Sequence, residues 1–449
     1  GISRLIFTAF LASISTLGFS QIAVTVTNTN DAGAGSLRQA ILDLNVNNAN
    51  GIGDTINFNI ATVGPHTITL ATPLPQIVST IFINGYSEPD AVMGPIGART
   101  IAVRIDGAGL AAPIFDIGDG VDGGNNVTIA GLNLVNVDGN AIQLNDFMNG
   151  LRVWGCYIGT DITGTTAAVA DTITGAGIYL GISPGPQSLT SNSVIGADSS
   201  IFNLGLDEHE GNVIGNSTIG INSVGQQNLK IAGNFVGIGA DSVSNIGNSL
   251  TGILINTGSI NCTVGVNDTT DTEPIHEKNY VGNNNEGITV RDGATGTIVA
   301  GNFVGVTPTG ANAGNAQQGI IIESAPANRI GTNADGVQDA EERNTILYNG
   351  DGILLYNGAN AALIEDKVAI NNTIMGNTID SNSVAIILDN QDIDGDVVTG
   401  NIIGSDGVGT NGLIEANLIR GNLNGGVLVE SFLAPVAPID LTRISMNSF

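Results

Sequence analysis

Between Asn279 and Ser324 the chain alternates short apolar runs with breaks of Gly and Asn. The runs Gly287-Ile288-Thr289-Val290, Thr297-Ile298-Val299-Ala300, Phe303-Val304 and Gly319-Ile320-Ile321-Ile322 are of strand length, and each break carries residues that turn easily. Apolar positions show no helical spacing in this stretch. A unit this small cannot bury its own apolar face, so the pattern predicts that it stacks on copies of itself.

The copies share a fragment of the form N-x-(I/V)-x-G-N. It occurs in varied form at residues 151–156 (with Cys156 in place of Asn), 228–234, 296–302, 372–377, 396–401 and 417–422. Taken as one fragment per coil, the steps from Gly282 to Gly301, Gly376 to Gly400 and Gly400 to Gly421 are 19, 24 and 21 residues. They predict coils of about twenty residues with one to three short strands each. A longer period overlies this one. Tyr157-Ile158-Gly159, Phe235-Val236-Gly237 and Phe303-Val304-Gly305 open similar loops, with glycines 78 and 68 residues apart. Three coils per super-repeat, one bearing a T-x-T-G loop, fits both intervals. The expected architecture is all-β: a right-handed parallel β-helix with a short N-terminal capping helix.

That helix is expected after Ser36-Leu-Arg-Gln39, a capping-box pattern, and runs to about Asn45 with Leu37, Ile41 and Leu44 on one face. It would cover the open strand edges of the first coil. Strands are expected at residues 22–30, 54–60, 67–70, 81–83 and 102–105. Residues 1–20 have one Arg near the start, then an apolar stretch without acids that ends in small residues. This predicts a secretory signal peptide rather than a membrane anchor. The organisation that follows is signal peptide 1–20, cap and lead-in strands 21–110, and β-helix repeats 111–449. Residues 441–449 look like the start of another coil, so the repeats are expected to be truncated at the C-terminal end or covered there by a partner.

Ser36-Leu-Arg-Gln-Ala-Ile41 resembles the S-L-R-E-A-I signature of secreted bacterial parallel β-helix repeat proteins of adhesin-like type. Residues 80–89, TIFINGYSEP, with Asp106-Gly107 soon after, resemble the T-I-D-G-Y-T-Q-P and L-D-G segments of the same proteins. Gly35 stands where that signature often has Cys. The resemblance covers nearly everything from Ile22 onward. It implies export, an extracellular or cell-surface location, and structural or adhesive roles.

Composition narrows the picture. Of 449 residues 63 are Gly, yet no strict triplet repeats, so collagen is excluded. With 42% hydrophobic residues in strand-like runs, disorder is excluded as well. The net charge of −28, with only 13 Lys and Arg, would repel phosphates, so no nucleic-acid partner is expected. No other segment is apolar for long enough to cross a bilayer, so the mature chain is expected to have no transmembrane segment. Cys156 and Cys262 are expected as two separate buried thiols, about 19 Å apart over four coils and beyond disulfide reach.

Chemistry is thinly signalled. In residues 331–342, Asn333, Asp335, Asp339 and Glu342 fall at positions three, five, nine and twelve, with Gly336 at six. This resembles a calcium loop lacking its first Asp, and calcium is the one cofactor the sequence suggests. Asp392, Asp394 and Asp396, beside Asp389, form a weaker second candidate. His66, His209 and His276 are expected as solvated loop residues, and Trp154 as a coil-packing residue. No catalytic residues are assigned. The expected role is a secreted or cell-surface structural and adhesive β-helix, non-catalytic, that meets a surface ligand or glycan or associates with itself. The alternatives are a polysaccharide lyase or glycoside hydrolase of the pectin-lyase-like fold, which would need converging carboxylates and a base, and a subunit of an extracellular filament.

Overall fold

The computed structural model describes residues 21–46, 53–118, 126–145, 150–181, 192–197, 207–266, 274–357, 369–390, 398–407, 412–431, 443–445 and 447–448. The signal-peptide segment and Asp392, Asp394 and Asp396 lie outside them.

The expected parallel β-helix is what the chain forms. Among the described residues every paired strand is parallel, in one sheet of 13 strands and one of 21. The 13-stranded sheet takes one strand from each coil, from Ala23–Val26 to Arg443–Ser445. The larger sheet takes the remaining strands of each coil, such as the short Phe303–Val304 and the long Gln318–Glu323. The coil is larger than the fragment spacing predicted. In the first sheet Lys230 pairs with Thr263, Thr263 with Ile298 and Ile298 with Arg329, steps of 33, 35 and 31 residues. The twenty-residue period arose because the same turn chemistry closes more than one side of a coil. Gly301 follows a strand of the first sheet, Ile298–Ala300, whereas Gly282 follows a strand of the second, Tyr280–Val281. The super-repeat is accordingly two coils, not three: Phe235 pairs with Tyr280, and Tyr280 with Phe303.

Side-chain alternation explains the core. In Ile320–Ile322 and its partner Ile353–Leu355 the first and third positions are 0% exposed. They stack on their equivalents from rung to rung as a single core that runs the length of the helix. Asparagine ladders turn the corners. At the corner after the first-sheet strand the amide of each Asn donates to Oδ1 of the next. The series runs Asn212, Asn234, Asn279, Asn302, Asn344, Asn377, Asn417 and Asn447. A second ladder runs through Asn248, Asn284, Asn315, Asn349, Asn382 and Asn422. A third, shorter one joins Asn328, Asn372 and Asn401. Each buried amide thereby satisfies turn backbone that no sheet bonds reach.

The predicted cap is present as α1, Leu37–Asn45. Leu37, Ala40, Ile41 and Leu44 are buried against Val26, Ile56 and Phe58 of the first coils. Ser36 Oγ accepts from the Gln39 amide, but the box does not close: Gln39 donates to Asp43 instead. Cys156 and Cys262 are free and buried, as expected, but only three first-sheet steps separate their strands, and they sit at different corners. Burial pushes the two thiols up to about 11 and about 12.

Candidate functional site

Three loops leave the helix at the corner that follows the column Tyr157, Val213, Phe235, Tyr280 and Phe303. Each is closed by a side chain that caps its own turn. Asp161 accepts from the amides of Thr165 and Thr166 and from the Thr163 hydroxyl. Asp241 accepts from the amides of Val243 and Ser244 and from the Ser244 hydroxyl. Burial alone would raise the Asp241 carboxyl, but those donors together hold it below its usual value. Thr307 takes the same place in the third loop, accepting from the Ala311 amide. The first two loops are tied together, the Ala240 amide donating to the Gly164 carbonyl. The in-phase loops expected from sequence are therefore present.

The first two loops and the segment 90–102 enclose an open cleft of about 490 Å³, lined among others by Gly64, Asp90, Tyr157, Thr163, Thr165 and Asp241. Arg99 anchors its wall. Arg99 is 7% exposed, and its guanidinium lies 5.9 Å from the Tyr157 ring centre and donates to the carbonyls of Gly94, Gly211 and His209. Its hydrogen bonds are thus spent on backbone. Tyr86, from the NGYSEP segment, lies over Gly131 and Gly155, where a Cβ would come within 2.6 and 2.5 Å of it. Its hydroxyl donates to the Gly155 carbonyl. Trp154 is buried as expected, and it stacks on that Tyr86 ring at 5.5 Å.

Two features were missed in the sequence. Phe235, Tyr280 and Phe303 meet on successive rungs, the first pair edge to face at 5.2 Å and the second stacked at 4.7 Å. The signal was an aromatic residue two places before the loop glycine, visible at each copy. The second concerns His66, which is not a solvated loop residue. It opens the strand His66–Thr69, is 4% exposed, and faces Glu88 and Asp90. His209 lies beside Glu208 with Nε2–O 3.2 Å, and its carbonyl holds Arg99. His276 sits in the turn Pro274–Glu277, whose Glu277 is buried against Lys230.

The loop proposed for calcium folds on itself. Glu342 is buried against Arg329, with O–N 3.1 and 3.2 Å, and also accepts from the Asn333 amide. Asp335 accepts from the Val337 amide and the Asn333 side chain. Asp339 accepts from the Thr332 hydroxyl and the Gly336 amide. Among the described residues the one group of three His, Cys, Asp or Glu side chains whose ligand atoms all lie within 4.8 Å of one another is His66, Glu88 and Asp90. Asp389 is buried on the strand Val384–Asn390.

Among the described residues no helix is long and apolar enough to cross a membrane. No family model and no curated protein matches the chain. Among solved structures, the A-module of a mannuronan C-5 epimerase from Azotobacter vinelandii is similar at 12% identity over 94% of this chain and 98% of that one, with a TM-score of 0.42. The Dettilon tailspike protein matches at 12% identity over 90% of this chain and 68% of that one, TM-score 0.40. PfbA, a surface adhesin of Streptococcus pneumoniae, matches at 11% identity over 92% and 93%, TM-score 0.27.

Proposed function

We propose that the chain is a secreted or cell-surface adhesive stalk, without catalysis of its own, whose rung stack presents the loop-built cleft to a glycan or other surface ligand. One observation carries this reading. Three of the charged groups that shape the cleft are committed to holding it: Asp161 and Asp241 to their own turns, Arg99 to three carbonyls. A general acid–base pair needs groups free to exchange protons with substrate, whereas a preformed, rigid recess suits binding.

The test is retention of the chain on immobilised neutral and acidic polysaccharides, compared with a variant in which Thr165→Arg fills the cleft mouth. Binding by the parent that falls at least tenfold in T165R, with an unchanged melting temperature, supports the proposal. No retention on any polysaccharide, or equal retention by both proteins, overturns it. Release of new reducing or unsaturated sugar ends would replace it with the lyase or hydrolase reading.

A further inference from the structure

The floor beside the cleft holds a group of side chains that neither the fold nor the adhesive reading uses. His66 opens the strand His66–Thr69, and its backbone N–H donates to the Ala102 carbonyl. Glu88 and Asp90 follow the tight turn Gly85–Ser87. That turn is pinned by Ser87, whose hydroxyl donates to the Asn84 carbonyl and accepts from the Phe58 amide. Each carboxylate is oriented by one backbone donor: Glu88 Oε2 accepts from the Ile60 amide at 3.0 Å, Asp90 Oδ2 from the Gly64 amide at 2.7 Å. A ring nitrogen of His66, a Glu88 oxygen and an Asp90 oxygen all lie within 4.8 Å of one another.

The imidazole is the informative member. Its Nε2 is buried and makes no hydrogen bond. The Glu88 Oε1 it faces is 3.5 Å away, beyond the roughly 2.7–3.2 Å of a protein hydrogen bond. That separation does match the edge of a tetrahedron about a metal with bonds of about 2.1 Å, which is about 3.4 Å. A buried nitrogen without a hydrogen-bond partner is destabilising, and a cation between it and the two carboxylates would remove that cost. Gly64 leaves the space open. A Cβ there would stand 3.3 Å from His66 Nε2 and 3.4 Å from Asp90 Oδ2. Gly64 and Asp90 both line the cleft, so a further coordination position would face it.

We propose that His66, Glu88 and Asp90 form a divalent transition-metal site, with zinc as the fitting ion. One imidazole and two carboxylates make a three-ligand set with a fourth position open toward the cleft. Calcium is a poor match, because it takes six to eight oxygens and this set offers a nitrogen. The backbone donors to both carboxylates are the outer contacts that orient ligands at such sites. The site stands whether or not the cleft binds a glycan.

The experiment uses the full chain, stripped with chelator and titrated with zinc chloride by calorimetry, with cobalt as a spectroscopic reporter. One zinc per chain is expected, with cobalt giving the intense visible bands of a four-coordinate site and zinc raising the melting temperature. Asp90→Asn, a change at an exposed residue, should weaken binding at least tenfold while leaving the circular dichroism spectrum unchanged; His66→Gln should abolish the cobalt bands. His209→Gln, altering a different His–carboxylate pair, should leave uptake as it was. Affinity no better than millimolar, loose multiple binding, equal uptake by D90N and the parent, or displacement of zinc by equimolar calcium would each overturn the proposal.

Discussion

At the scale of single residues the ladder asparagines carry the turns. Asn302 is 0% exposed and is bonded on both sides of its rung. Its side-chain amide donates to the Val264 and Ala300 carbonyls and to Asn344 Oδ1, its own N–H donates to that same oxygen, and its Oδ1 accepts from Asn279. Asn302→Ala would leave several of these groups buried without partners. At roughly 1–3 kcal/mol for each group that cannot relax toward water, a loss of about 3 kcal/mol is expected. Asn422 makes the same kind of bonds from a half-buried place in the second ladder. Water can replace it there, so Asn422→Ala should cost under about 1 kcal/mol. Denaturant unfolding of both variants measures the contrast, and equal losses would show that burial of the ladder contributes nothing. Glycine matters beside it: Gly301 adopts φ +72°, and a Cβ there would lie 2.7 Å from the Glu341 carbonyl.

Among the elements, α1 shows what the Ser36-Leu-Arg segment is for. Leu37 enters the core, while Arg38 reaches back over the end of the stack to the carbonyls of Asp31, Thr72 and Pro73 and to the Asp31 carboxylate at 2.7 Å. Burial alone would raise the Asp31 carboxyl, but Arg38 and the Ala71 amide hold it below its usual 3.8. A carboxyl depressed in the folded state stabilises at pH values above its unfolded value and loses that contribution as pH falls through the folded one. Arg38→Met is therefore expected to lower stability by about 2 kcal/mol near neutrality. The gap to the parent should narrow below about pH 4, where the parent loses its charge pair while Arg38 keeps its three carbonyl bonds. A gap that stays constant down to pH 2 would mean that Arg38 acts through those carbonyl bonds and packing, not through the charge pair. The cap was legible because helical spacing and a capping serine are local signals. The strands at residues 54–60 and 67–70 were legible for the same reason: alternation needs only neighbours, and the structure forms Asp54–Phe58 and His66–Thr69 there. Coil length was not legible, because Gly-Asn closes two different sides of one coil and sequence alone does not say which side a turn belongs to. The convergence of His66 with Glu88 was hidden too. The two are 22 positions apart, and a turn outside any repeat brings them together.

Over the whole molecule, parallel stacking multiplies whatever the repeat contains. Equivalent positions recur at about 4.8 Å, so side chains at one place in successive coils form a column. Glu323 pairs in register with Tyr356, Tyr356 with Asp389, and Asp389 with Glu430. Burial raises the Glu323 carboxyl, with Asp292 and Glu286 adding to the effect against the pull of Tyr356 and Arg291. A net charge of −28 spread along such a stack opposes the compact state through repulsion over many rungs. Neighbouring rungs sit inside the Debye length at any ordinary salt, but charges three or more rungs apart lie beyond the roughly 8–10 Å that holds near 0.1–0.15 M. Salt therefore removes the long-range sum and leaves the contacts. Raising sodium chloride from about 20 mM to about 0.5 M should increase the melting temperature by several degrees, most steeply at the low end where the Debye length shrinks from about 20 Å toward about 10 Å. A flat or falling curve would mean that ion pairs such as Arg329–Glu342 and Arg104–Asp171 outweigh the repulsion. Charge reversal at an outward column position would separate the two terms. Glu430→Lys, on the long strand Gly425–Ser431 beside Asp389, should raise stability at low salt and lose that advantage at high salt if the acid columns dominate.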